Sequence, residues 1–110
     1  MEYSAIVAGT GFEGRAGRIR AFAKEGMSVV LKREPSNPHD ANAIAVYITV
    51  ARWYTLFRPV ETQIGYIKAR FAATLSKRMD AGGTIVSARI DSLYLPLDHP
   101  RVSLRIVTDW

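Results

Sequence analysis

The stretch Glu34 to Asn42, EPSNPHDAN, does most to limit how this chain can fold. It holds two prolines, two asparagines and an aspartate. Each proline fixes φ and lacks a backbone N–H, so no regular helix or central strand can pass through. Asn and Asp side chains bond the nearby backbone, which gives such a segment a defined shape rather than the looseness of a linker. On either side lie Met27 to Arg33 (MSVVLKR) and Ala43 to Val50 (AIAVYITV). Adjacent valines in the first and β-branched residues throughout the second read as strands, the second a central one. The chain is therefore expected to build a sheet with a rigid, shaped loop at one of its turns.

The remaining elements follow from apolar spacing. Tyr3 to Ala8 is a short apolar run closed by Gly9 and reads as a strand. After the glycine-rich GTGFEGR, the segment Glu13 to Lys24 reads as a helix, with Phe12, Ala16, Ile19 and Ala23 at helical spacing. Ala51 to Thr62 is an insertion, Gln63 to Ile67 a fourth strand, and Lys68 to Ala81 a helix with Phe71, Ala72, Leu75 and Met79 on its apolar face. Gly82 and Gly83 end that helix. Thr84 to Leu93 and Arg101 to Val107 are the last strands, joined across Pro96 to Pro100. The expected fold is mainly β with two helices, an α+β chain forming one small, partly open barrel over residues 1–110. Its core is expected at Ile6, Val30, Ile44, Val46, Ile64 and Leu104, with Leu75 and Met79 packing one end.

Composition narrows the function classes. The 110 residues contain no cysteine, which excludes disulfides and thiolate metal sites. His39 and His99 have no histidine partner at helical spacing, so no metal or cofactor is expected. The longest apolar stretch, Ala43 to Ala51, is interrupted by Thr49 and far short of a membrane span. The N-terminus lacks the basic-then-apolar pattern of a signal peptide. A cytoplasmic protein without a membrane partner is the expectation. Fifteen Lys and Arg against ten Asp and Glu give a net charge of +5, which attracts polyanions and also suits ordinary solubility.

No nucleophile elbow, phosphate-loop lysine or zinc-protease helix occurs, and GTGFEG alone is a weak phosphate-loop match. His39 and Asp40 are adjacent, a poor arrangement for a catalytic dyad, so catalysis is not expected. Binding has more support. Arg15, Arg18, Arg20 and Lys24 fall on the first helical segment, while Lys32, Arg33, Lys68 and Arg70 bracket the shaped loop in sequence. Single strands are held by cationic grooves with aromatic platforms, and Phe12, His39 and Tyr66 are candidate platforms. Each has a plainer reading: Phe12 and Tyr66 as core, the arginines as a solvated helix face, Asp40 and Asn42 as turn caps. Trp53, Tyr54 and Phe57 alternate with Arg52 and Arg58 in the insertion. They read as a candidate interface for a protein partner or a homodimer, or as a hairpin folded back over the sheet.

The string LKREPSNPHDANAIAVY, Leu31 to Tyr47, resembles the signature of the HIRAN domain family. The resemblance continues in QIGYIKARFAATLSKRMDAG, Gln63 to Gly82, and more weakly in IVAGTGFEGR near the start. It implies a six-stranded, OB-like barrel with two helices that binds single-stranded DNA without catalysis. It also implies a pocket for a free 3′-hydroxyl end, used in DNA repair or replication. By position the resemblance assigns the aspartate to Asp40, the aromatic before it to His39 and the aromatic after the first strand to Phe12. The glycine, aromatic and lysine near the second helix fall at Gly65, Tyr66 and Lys68. The family's arginine after the first strand is Gly11 here, and Arg15 is the nearest cation to replace it. Nucleic-acid contacts are thus expected at Phe12, Arg15, Lys32, His39, Asp40, Tyr66, Lys68 and Arg70. The competing readings are a protein-interaction module and an accessory subunit of a DNA-processing enzyme.

Overall fold

The computed structural model describes residues 1–12, 14–51, 56–95 and 100–110. Its elements are β1 (Glu2–Ala8), α1 (Arg15–Phe22), β2 (Val30–Arg33), β3 (Ile44–Val50), β4 (Val60–Ile67), α2 (Ala69–Asp80), β5 (Ile85–Tyr94) and β6 (Arg101–Thr108). The six strands form one antiparallel sheet in the order β2-β3-β4-β1-β6-β5. The mainly β class with two helices is thus as expected, but among the described residues no ladder closes the sheet into a full barrel. Its two ends meet over a short stretch. The Gly26 N–H donates to Ile90 O (2.7 Å), Ile90 N–H to Met27 O (2.9 Å) and Val29 N–H to Ala88 O (2.9 Å). A single bridge, Ser28 to Arg89, lies between them. The expected strand from Met27 therefore starts only at Val30, because residues 26–29 bond across to β5 instead of to β3.

The core lies inside this curled sheet. Ala5 and Val7 of β1, Ile44, Val46 and Ile48 of β3, Ile64 of β4 and Leu104 and Ile106 of β6 are buried, and Ile19 of α1 and Leu75 of α2 join them. Two expected core residues face outward: Ile6 is 41% exposed and Val30 39%. Side chains alternate along a strand, so burying Ala5, Val7 and Val29 puts Ile6 and Val30 on the other face. Burying small residues at β1 leaves a larger apolar side chain outside.

Two further boundaries move. β4 begins at Val60, inside the expected insertion, and pairs Val60 with Val50 and Glu61 with Thr49. Helix α1 starts at Arg15, so Phe12 lies ahead of it and is 70% exposed rather than on its apolar face. Helix α1 instead buries Ile19 together with Arg15.

One glycine sets how near β1 comes to β4. A Cβ on Gly65 would lie 2.5 Å from Ala8 O and 2.6 Å from a Val7 methyl carbon, closer than any side chain allows. Glycine there lets Ala8 pair with Tyr66. Beyond β4, the Lys68 N–H donates to Ile6 O at 2.8 Å, which fixes the start of α2 against β1. At the other end of the chain the Trp110 indole donates to the Tyr3 hydroxyl at 2.8 Å.

Candidate functional site

The loop Glu34 to Asn42 is shaped by its own polar residues. The Asn37 side chain is its hub. Its Oδ1 accepts from the His39 N–H (2.9 Å) and the Asp40 N–H (3.3 Å), and its Nδ2 donates to Glu34 Oε1 (3.0 Å). The Asp40 Oδ1 accepts from the Asn42 N–H at 2.8 Å, and the Ser76 hydroxyl of α2 donates to Asn42 Oδ1 at 3.2 Å. The capping reading of Asp40 is therefore correct for one of its oxygens.

Arg33 ties this loop to α2. Its Nε and Nη2 donate to the two Asp80 carboxylate oxygens, each at 2.9 Å, while Nη1 donates to Ala43 O (2.9 Å) and Nη2 to Ala41 O (3.1 Å). The hydrogen bond from Arg33 holds the Asp80 carboxyl below its ordinary value, and Asp80 in turn raises Arg33. A bidentate arginine–carboxylate pair fixes direction as well as distance. It docks the foot of the loop on the last turn of α2.

Held this way, the loop forms one wall of a cleft of about 370 Å³ lined by Ala8, Gly9, Phe12, Arg15, Asn37, His39, Asp40, Ala43 and Tyr66. Four segments meet there: the end of β1 with the turn after it, the first residue of α1, the shaped loop, and β4. Arg15 is 6% exposed, with Nη1 donating to Gly9 O at 3.0 Å and its guanidinium carbon 5.4 Å from the centre of the Tyr66 ring. Gly9, at φ 74°, makes the turn that brings its carbonyl to Arg15. Phe12 and His39 stand exposed at the rim. A second depression of about 470 Å³, lined by Glu34, Pro35, Ser36, Asn37, Pro38 and Tyr66, shares the Asn37 and Tyr66 walls.

Five of the eight expected contact residues, Phe12, Arg15, His39, Asp40 and Tyr66, thus line one cleft. The other three lie elsewhere. Lys32 donates to Glu61 at 2.7 Å, a hydrogen bond that raises the lysine above its ordinary value, and lies 4.8 Å from the Tyr47 ring centre. Arg70 is exposed beside Phe71, 4.8 Å from its ring centre. Lys68 lines a neighbouring groove with Arg101. Trp53 and Tyr54 lie outside the described residues. Phe57 is 73% exposed, so it does not cover the sheet. Asn37 was not singled out from the sequence, although an Asn between two prolines in a compact loop is a natural hub for side-chain-to-backbone bonds. Among the described residues no three His, Asp or Glu side chains cluster as a metal site, and no helix is long and apolar enough to cross a membrane.

Chemically the lining of the cleft offers a carboxylate, a guanidinium and flat rings. That set can accept a hydrogen bond from a hydroxyl, attract an anion and stack planar groups. A family model for the HIRAN domain matches residues 3–110. Two solved structures share the fold. The HIRAN domain of human HLTF superposes with a TM-score of 0.68 at 22% identity, covering 97% of this chain and 73% of that one. A protein from Lactobacillus plantarum superposes with a TM-score of 0.69 at 21% identity, covering 96% of this chain and 97% of that one. No curated protein matches the chain.

Proposed function

Because the chain belongs to the HIRAN domain family, a family of nucleic-acid-binding domains, we propose that it is a non-catalytic module for single-stranded DNA that seats a free 3′-hydroxyl end beside Asp40. The observation that carries this reading is the convergence of Phe12, Arg15, His39, Asp40 and Tyr66 on one cleft. A carboxylate accepts the hydrogen bond of a terminal hydroxyl and repels a phosphate placed there. Arg15 supplies a cation near the turn where Gly11 stands in place of the family arginine. Phe12 and His39 offer exposed rings to the last bases, and stacking contributes about 1–3 kcal/mol per base.

The test is fluorescence anisotropy with 5′-labelled single strands of one sequence carrying a 3′-hydroxyl or a 3′-phosphate, with unlabelled circular strands as competitors. The 3′-hydroxyl strand should bind tightest, and the phosphate and the circle more weakly. Equal affinity for all three overturns end recognition. No affinity for any single strand overturns the module itself.

A further inference from the structure

Two apolar features lie outside the cleft. The first is a knob just before β4. Leu56 is 76% exposed and Phe57 73%. Both hold left-handed backbone, at φ 55° and 56°, which residues with a side chain seldom adopt. Such conformations cluster at functional sites. The turn thereby presents two large apolar side chains to water, and the exposed Arg58 follows them. Among the described residues the other exposed phenylalanine is Phe12, which belongs to the cleft.

The second feature is a hole. A cavity of about 140 Å³ opens between β1 and α2, lined by Tyr3, Ser4, Ala5, Phe71, Thr74 and Leu75. Ala5 and Leu75 are buried, while Ser4 and Thr74 stand at the surface. The Trp110 indole bonds the Tyr3 hydroxyl, so that wall is fixed before anything enters. An apolar cavity of about 150 Å³ takes up a benzene ring. This hole therefore has room for one phenyl group and little more.

The register sets knob and hole at opposite ends of β1. Strand β4 runs antiparallel to β1, with Val7 opposite Ile67 and Ala8 opposite Tyr66. From Tyr66 back to Val60 the chain continues for roughly 20 Å past the end of β1. Tyr3 and Ala5 lie the other way. One molecule therefore cannot fill its own hole, but a second copy can. The charges also match. Glu2 adjoins the hole through Tyr3 and Ser4, and its carboxylate meets Arg105 at 3.6 Å, a loose pair that leaves it open to another cation. Among the described residues Arg58 is in no ion pair, and it is exposed.

We propose that Phe57 of one molecule enters the hole between β1 and α2 of the next, with Arg58 against Glu2, so that the protein associates head to tail. A contact between two different patches repeats, and it builds a row or a ring rather than a closed pair. One phenylalanine takes about 150–250 Å² out of water. With its neighbours the contact falls among small interfaces, below about 1,200 Å², so the association is weak and reversible. It requires neither the cleft nor a nucleic acid.

The test is sedimentation velocity of the full chain, stripped of nucleic acid, at rising concentration. The wild type is compared with Phe57→Ser, which removes the knob, and Thr74→Trp, which fills the hole from the exposed side of α2. Circular dichroism and melting temperature should match the wild type in both. Ser4→Trp closes the same hole from β1 and replaces Thr74→Trp if that variant melts low. The wild type should sediment faster as concentration rises, and each variant should remain a monomer. An equal mixture of the two variants should form dimers and stop there, because one keeps only the hole and the other only the knob. Arg58→Glu should weaken the association of an otherwise wild-type chain, and Glu2→Lys added to that chain should restore it. A wild type that stays monomeric at every concentration overturns the proposal and leaves the hole to a partner of another kind. Either variant associating as the wild type does also overturns it. So does a mixture that stays monomeric or grows beyond dimers.

Discussion

The Tyr66 hydroxyl donates to Glu34 Oε1 at 2.9 Å, the same oxygen that accepts from Asn37 Nδ2 at 3.0 Å. A ring in the cleft wall and the hub of the shaped loop are thereby one bonded unit. Tyr66→Phe keeps the ring and removes its donor. It should lower stability by about 1 kcal/mol in urea denaturation, the usual net worth of such a bond. Amide exchange at His39 and Asp40 should quicken as the hub loosens. Unchanged exchange there would mean the loop holds its shape without Tyr66.

Gly65→Ala tests the contact between β1 and β4. Its methyl would meet a backbone oxygen and a valine methyl carbon, so strands rather than a flexible side chain must give way. The expected cost is about 3 kcal/mol, at the upper end for overpacking. Single-strand affinity should fall with it, because Ala8 and Tyr66 can no longer stand opposite each other. Wild-type stability in thermal melts would contradict the close approach.

Leu75→Ala tests the docking of α2. Leu75 is 2% exposed and faces the core. Its truncation should cost about 2–5 kcal/mol by chemical denaturation. A neutral result would mean that α2 does not seal the core.

Asp40→Asn separates charge from scaffold. The amide oxygen can still accept from the Asn42 N–H, so the loop should keep its shape. Lost charge should weaken the hydroxyl contact and relieve the repulsion of a 3′-phosphate. The ratio of affinities for the two ends should narrow by about tenfold, since hydrogen bonds to charged groups contribute about 1.5–3 kcal/mol. An unaltered ratio with an unaltered melting temperature would take Asp40 out of the end site.

Asp80 gives a pH dependence. Its carboxyl is held below the ordinary value by the hydrogen bond from Arg33, so the folded state favours the ionised form. That contribution is present above the ordinary carboxyl pKa and is lost as pH falls through it toward the lowered value. Asp80→Asn should therefore melt below the wild type at neutral pH, and the difference should close in acid. A gap that persists in strong acid would place the effect elsewhere than in ionisation.

The sequence disclosed what depends on local chemistry. The prolines and asparagines of residues 34–42 mark a fixed loop, and the β-branched run after it is the central strand. What it withheld depends on partners far away in the chain. Nothing near Ile6 says that it faces out; burial of Ala5 and Val7 follows from the helices and strands that cover that face. Residues 26–29 carry a strand-like pattern, yet they bond to β5, some sixty residues on. Lys32 and Arg33 look alike in sequence, but Glu61 and Asp80 turn both toward structural duty. Arg15 shows the opposite outcome: sequence left it open between a solvated helix face and a nucleic-acid contact, and it is buried and lines the cleft. Its placement needs the Gly9 turn and the Tyr66 ring together, and neither lies beside it in the sequence.

The stretch that joins the ends of the sheet has a consequence for how molecules of this protein meet. β5, ten residues long, lies at one end of the strand order. A long strand with a free edge is a template on which another chain can add a strand and begin an aggregate. Residues 26–29 occupy the middle of that edge from within the same molecule. The opposite edge is β2, four residues long and carrying Lys32 and Arg33, and a short, charged edge is a poor template. Loosening the 26–29 contact would therefore show itself first in crowded solution, as molecules joining edge to edge before any of them had unfolded.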